Sequence, residues 1–387
     1  MTPQRRSVVL LLVIYLGFIS LGLPDGTLGT AWPAIYPELN LPLGLAGTIL
    51  TVGTALTALS GFASGRIVGR WGTGPVVLAS GVLTASALLL LSRAQGAGWL
   101  YAAAVPLGLG AGAVDAGLNG YVAKHYSGRH MNWLHACWGI GATAGPFVLG
   151  WTMAHGHGWR GGYVAISSVQ FSLAMLFLLT LGLWARVPER AAEHAETAAK
   201  APTLSASSFA GWLSPVILAL YVAAEFTIGL WAGTVLVVRR GFTPETAALC
   251  TAGFYGAITV GRIAAGFVVE PWGNRRVISG GALLAAAGMV AFTLAATPVL
   301  AAASLVVAGL GMAPIYPGLM HEVPRRFAPD SVQTVIGWQS GGASIGAAVL
   351  PALAGWLGQQ SLAGVPWLVI AVLLALIVGI RRLDRLT

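Results

Sequence analysis

About a dozen stretches of some twenty predominantly apolar residues recur along this chain, each of the length a bilayer's hydrocarbon core demands of a helix. They run 7–37, 43–66, 74–94, 98–123, 131–155, 160–186, 212–238, 244–267, 277–297, 299–321, 331–356 and 362–381. In lipid every backbone N–H and C=O must find a partner within its own segment, so apolar runs of this length cross as α-helices. Composition agrees: 56% of the 387 residues are hydrophobic and 9% charged, where a soluble domain carries about a quarter charged residues. The expected class is an all-α membrane protein of twelve transmembrane helices.

The charge excess is 21 − 12 = +9, and topology accounts for it. With the N-terminus placed in the cytoplasm, the inner loops and ends collect most of the arginines, among them Arg66, Arg70, Arg262, Arg275, Arg276, Arg325 and Arg326. The outer side keeps Arg93, Arg160, Arg239 and Arg240. This positive-inside asymmetry puts both termini in the cytoplasm of a multi-pass cell-membrane protein and removes nucleic acid as the explanation of the basic balance. The two cysteines, Cys137 and Cys250, fall in apolar spans, with neither a disulfide framework nor metal-ligand spacing. The basic flank and apolar run at the N-terminus read as a retained first span rather than a cleaved signal, because further spans follow at once. No catalytic triad, metal spacing or nucleotide loop stands out, so an enzyme is not expected.

Two halves repeat each other. At an offset of 200–201 residues, Asp25-x-x-x-Gly29 matches Glu225-x-x-x-Gly229, and Gly65…Trp71-Gly72 matches Gly266…Trp272-Gly273. Gly108-Leu109-Gly110 matches Gly309-Leu310-Gly311, and Gly141-Ala142…Gly145 matches Gly342-Ala343…Gly346. Four matches in register across different spans indicate duplication. The domains expected are bundles over 1–186 and 212–387, joined by a polar cytoplasmic linker, 187–211. Six spans per half make the repeats parallel, a transporter architecture whose site is expected at the repeat interface.

Over its whole length the chain resembles the major facilitator superfamily. Gly266…Glu270-Pro271-Trp272-Gly273-Asn274-Arg275-Arg276 resembles that superfamily's G-x-x-x-D-R-x-G-R-R loop; the first copy, Gly65…Gly69-Arg70-Trp71-Gly72, has glycine where the acid belongs. The resemblance implies conformational gating by Arg70, Glu270, Arg275 and Arg276. Asp115…Asn119, Tyr221…Glu225 and Tyr316-Pro317 resemble stretches of the fucose:proton symporter group, which implies sugar-class solutes and proton coupling at the fourth-span acid.

Three carboxylates lie within spans: Asp25, Asp115 and Glu225. Charged groups there are expensive and commonly functional. A carboxyl shielded from water holds a proton and releases it once water arrives, as a coupling group must. With no lysine or arginine expected inside a span, these acids have no permanent counter-ion. Asp115 is the first candidate for proton coupling, beside Asn119 on the same helical face; a neutral, packing carboxylic acid is the alternative. Asp25, between Pro24 and Gly26, sits where a helix must break, as a site residue or as an N-cap. Glu225 is its counterpart.

Candidate solute-binding residues are Asn119, Trp32, Asn132, His135, Trp138, Trp231, Tyr316, Trp338 and Gln339, the mixture of aromatic walls and few polar groups that small-molecule sites use. Asn132, His135 and Trp138 recur at i, i+3 and i+6, matched in the second half by Gln333, Ile336 and Gln339. The expectation is a monomeric, proton-coupled symporter of a small polar solute, sugar-like, in a lipid bilayer, with H+ as coupling ion and neither metal nor cofactor. One stretch points elsewhere: Gly141-Ala142-Thr143-Ala144-Gly145-Pro146 resembles a motif of the superfamily's antiporters, so proton-driven export of a drug-like compound or metabolite is the alternative.

Overall fold

The computed structural model describes residues 3–125, 128–184 and 204–387. The chain divides into two compact units, residues 1–194 and 195–387. The first holds α1 (Pro3–Gly22), α2 (Thr27–Glu38), α3 (Leu45–Trp71), α4 (Thr73–Ser92), α5 (Ala97–His125), α6 (Gly128–Ala154) and α7 (Gly158–Trp184). The second holds α8 (Phe209–Arg240), α9 (Pro244–Trp272), α10 (Asn274–Leu294), α11 (Pro298–Met312), α12 (Ile315–Arg326), α13 (Pro329–Ser361) and α14 (Gly364–Leu386).

Among the described residues, fourteen helices make twelve spans because α1 and α2 are two pieces of one span, as are α11 and α12. Eleven of these spans, Ser7–Glu38 and Pro298–Arg326 among them, are long and apolar enough among the described residues to cross a membrane. The remaining one is α6, whose first turns carry Arg129, His130, Asn132 and His135.

The break in the first span has a local cause. Pro24 has no N–H to donate, and Gly26 takes the left-handed conformation at φ 72°, which glycine adopts without steric cost. Thr27 Oγ1 donates to the Pro24 carbonyl at 2.6 Å, closing the turn. In the second unit the matching residues are Ala224 and Phe226, and α8 runs through them unbroken. The reverse holds for α11 and α12: Pro314 interrupts that span, whereas α5 passes continuously through the matching Ala113 and Val114. The halves are thus duplicated in helix order but broken at different spans.

Helix starts follow capping chemistry. Ser208 accepts from Gly211 N at the head of α8, Thr243 from Thr246 N on α9, and Thr297 from Leu300 N on α11. Residues 204–208, part of the stretch read as linker, are fastened to the second unit: Ala328 N donates to Leu204 O at 2.9 Å and Ala206 N to Ser331 Oγ at 2.9 Å. Residues 187–203 of that stretch lie outside the described residues.

Lipid tails are as apolar as leucine, so helices in a bilayer hold together by close packing at small residues. Some of the repeated glycines occupy these crossings in both units. A Cβ at Gly145 would collide with Leu23 O just past the end of α1, and one at Gly346 with Ala219 O of α8. Gly108 meets Gly53 of α3, and its match Gly309 meets Phe254 of α9. In the first unit Leu10, Ile14 and Phe18 of α1 pack with Val114 and Leu118 of α5 and Phe177 of α7.

Candidate functional site

Asp115 and Asn119 stand one turn apart on α5. Gly108 and Gly112 press the helix against Gly53 and Thr57 of α3, while Val114 and Leu118 join the cluster with α1 and α7. Asp115 and Asn119 occupy the strip between those two faces, Asp115 exposed and Asn119 half-buried. The Asn119 amide donates at 3.0 Å to Asp115 Oδ1 and at 3.0 Å to the Asp115 carbonyl. Its side-chain partner among the described residues is therefore a neutral amide.

Asp25 lies in the α1/α2 break, half-buried, and accepts from Trp138 Nε1 of α6 at 2.6 Å. Gly26 holds the cap position of α2 and makes no side-chain cap bond, so Asp25 does not serve as that cap. Two residues named separately from sequence meet here. His135 is edge-on to Phe18 at 5.6 Å between ring centroids, and five residues earlier on α6 His130 Nδ1 lies 2.8 Å from Tyr15 Oη. The Asn132 side chain lies outside the described residues.

The third carboxylate overturns one expectation. The sequence groups Arg262 with the loop arginines and predicts no cation inside a span; in the structure Arg262 lies within α9, ten residues before the helix ends at Trp272. Its Nη2 is 3.9 Å from Glu225 Oε1, with side chains 13% and 5% exposed. Tyr221, one turn earlier on α8 and fully buried, stands beside both charges. Tyr316 of α12 adjoins Tyr221 at 6.1 Å between ring centroids. Glu225 thus has a permanent counter-ion in Arg262. A basic residue at the interior of an apolar span was the signal in the sequence.

Several aromatic candidates are held away from this chemistry. Trp32 is fully buried with its indole N–H donating to Leu43 O at 2.8 Å, and Trp231 is fully buried donating to Pro351 O at 2.9 Å. Gln339 is fully buried, with its amide on Ser214 Oγ at 2.8 Å, tying α13 to α8. Trp338 stacks on Trp212 with centroids 4.5 Å apart. These geometries are those of helix packing.

Of the gating candidates, Arg70, Glu270 and Arg276 are exposed. Arg275 pairs with Glu322 of α12, Nε to Oε2 at 3.2 Å. Glu322 is 3% exposed and also accepts from Asn274 at 3.0 Å, with Arg325 and Arg326 at 3.4 and 3.3 Å. Arg326, 3% exposed, reaches Asp384 of α14 at 2.6 Å. A cavity of about 430 Å³ opens beside this network, lined by Trp272, Gly273, Asn274, Arg275, Arg276, Glu322 and Arg325. The network was not foreseen, because Glu322, Arg326 and Asp384 read singly as span-end charges. In the first unit the matching positions carry Tyr121 and Trp184, packed edge-on at 5.2 Å: one duplicated brace is aromatic, the other ionic.

Known proteins carry the same architecture. The Major Facilitator Superfamily model matches residues 14–248 and 201–385. An uncharacterized MFS-type transporter of Yersinia pestis is 23% identical over 369 residues, 91% of each chain. The cis,cis-muconate transport protein of Acinetobacter baylyi is 26% identical over 360 residues, 87% of this chain and 84% of its own. Among solved structures, a bacterial homolog of the human lysosomal transporter Spinster, inward-facing and occupied, superposes with TM-score 0.80 at 13% identity, covering 100% of this chain and 98% of that one. A mutant of the nucleoside transporter NupG gives 0.75 at 12% identity, covering 96% and 98%. With duplicated six-span halves and a family model that spans both, the chain belongs to the Major Facilitator Superfamily of multi-pass membrane transporters and is not an enzyme.

Proposed function

We propose that this transporter is a proton-coupled symporter of a small polar solute, sugar-like in size and hydroxylation, working by alternating access with Asp115 carrying the coupling proton. The observation that carries the reading is the pairing of Asp115 with the neutral Asn119 amide at 3.0 Å. A carboxylate hydrogen-bonded to an amide keeps that partner whether it is charged or neutral, so the proton can come and go without dismantling the helix. A ligand shifts a two-state protein only through unequal affinity for the two states, and protonation at Asp115 supplies that inequality. Asp25 and Glu225 are the secondary coupling groups; Asn119, His135, Trp138 and Tyr316 are the solute contacts. The polypeptide acts in the cell membrane as a monomer, with both ends cytoplasmic and gating at Arg70, Glu270, Arg275 and Arg276.

The test is internal acidification of proteoliposomes holding a pH-sensitive dye when external solute is added. Wild type is expected to acidify the lumen and Asp115→Asn is not. Coupling that persists in Asp115→Asn removes the proton from this residue.

Export by proton antiport is the second reading, favoured by one observation: Gly141 and Gly145 of the antiporter-like motif seat α6 directly on Ile19 and Leu23, beside the α1/α2 break. Proton leakage from acid-inside vesicles on addition of hydrophobic compounds, with no response to polar solutes, selects that reading.

A further inference from the structure

Glu225 and Arg262 are matched in charge and mismatched in geometry. Their approach of 3.9 Å lies beyond hydrogen-bond distance. Glu225 Oε1 and Tyr221 Oη are buried without a hydrogen-bond partner of good geometry. Buried polar atoms are nearly always satisfied, and each exception calls for a reason. The groups facing Glu225 among the described residues are Arg262 of α9, Tyr221 of its own helix and, behind Tyr221, Tyr316 of α12; one turn along α8 the Tyr255 hydroxyl of α9 lies against Gly229. The titratable residues of the other helices packed on α8 sit at helix ends: α11 carries none, Asp330 is in the first turn of α13, His321, Glu322, Arg325 and Arg326 are in the last turns of α12, and Arg381, Arg382, Asp384 and Arg385 are in the last turns of α14.

The cluster is not a brace common to both halves. In the first unit, positions 61 and 62, matching Arg262, are glycine and phenylalanine, and Asp25 is served by an indole. Guanidinium presents a planar fork of donors shaped for two oxygens of one carboxylate. A glutamate held at 3.9 Å does not use that fork well, while a mobile carboxylate can.

We propose that the transported solute carries a carboxylate recognised by Arg262, and that Glu225 competes with the solute for that cation. The inference rests on the symport reading and names its solute class: a small, hydroxylated or unsaturated organic acid. When a proton adds to the Glu225 carboxylate, its O–H form no longer attracts the guanidinium, and the solute's carboxylate takes its place. The cluster then holds Arg262 positive, Glu225 neutral and the solute negative, so its net charge is unchanged from the empty state. Loss of the proton restores the Glu225 charge and expels the solute. Linkage makes the effect reciprocal: the bound acid anion raises proton affinity by the factor by which the proton raises anion affinity. The cis,cis-muconate transport protein among the relatives moves a compound of the proposed class.

The test is ligand-dependent thermal stabilisation of the purified full-length protein at acid and alkaline pH. The probes are D-gluconate, cis,cis-muconate and benzoate, with D-glucose as neutral control. At least one carboxylate is expected to bind wild type about tenfold or more tighter at acid pH, a difference of about 1.4 kcal/mol, and to outbind glucose. Glu225→Gln is expected to bind it as tightly at alkaline as at acid pH, a response that a merely structural ion pair would not give. Arg262→Lys, which keeps the charge but not the fork, is expected to weaken binding about tenfold or more. Arg262→Gln leaves Glu225 buried alone and can unfold, so Glu225→Gln/Arg262→Gln serves as the folded control and is expected to lose binding. No stabilisation by any carboxylate, glucose matching gluconate, or undiminished binding in the double variant overturns the proposal. Carboxylates that bind through Arg262 yet drive no proton movement in wild-type proteoliposomes uphold it and overturn the symport reading instead.

Discussion

Asp25, Asp115 and Glu225 are three carboxylates within apolar spans that have acquired three different partners: an indole N–H, a primary amide and a guanidinium. The first two partners are neutral and tolerate either charge state of the acid; the third favours the anion. Replacing Trp138 by Phe removes the donor to Asp25, an interaction with a charged acceptor worth about 1.5–3 kcal/mol. Solute uptake by Trp138→Phe is expected to fall at least tenfold while the protein stays folded, checked by initial uptake rates beside a thermal melt. The ionic brace at Glu322 makes a sharper contrast. Glu322→Gln withdraws the charge shared by three arginines, one of them buried, and breaking one side of a buried ion network costs about 3–5 kcal/mol. Arg276→Gln, at an exposed position in the same loop, is expected to stay within about 0.5 kcal/mol of wild type. Thermal denaturation of the two variants side by side checks both.

At the scale of helices, the two halves share crossings and differ in breaks. The crossings follow from glycine, since backbone meets backbone where a side chain would intervene. Gly346→Ala places a methyl against the Ala219 carbonyl, and overpacking of this kind costs about 1–3 kcal/mol; a lowered melting temperature is the expected outcome. The breaks follow from proline and the left-handed glycine. Pro24→Ala returns an N–H donor to the first span, so the variant is expected to melt at or above the wild-type temperature. Its uptake is expected to drop, because the bent segment holds Asp25 against Trp138. A Pro24→Ala protein transporting at the wild-type rate would show that the interruption is dispensable. Discontinuous spans mark binding regions in transporters, and here each half contributes one, at α1/α2 and at α11/α12.

At the scale of the whole molecule, arginine placement orients the chain. A fluorescent reporter fused after Thr387 is expected to light up on the cytoplasmic side, and a periplasmic alkaline phosphatase fused after Arg240 is expected to be active. Hydropathy, duplication and family were legible in the sequence because each is a one-dimensional property: run length, period and local motif survive without knowledge of contacts. Asp115 with Asn119 was legible for the same reason, since a spacing of four defines a helical face. The α1/α2 break was legible in Pro24-Asp25-Gly26, whereas the one at Pro314 was not singled out among the chain's 20 prolines. The tertiary structure alone decided which aromatics are packing residues, because a buried Trp32 and a site-facing tryptophan have the same hydropathy. It alone joined Glu322, Arg326 and Asp384 into one network. It also took Arg262 out of the loop arginines and set it against Glu225, 37 residues away in sequence. Charge pairing across helices depends on which faces meet, and that is a property of the packed bundle rather than of any single span.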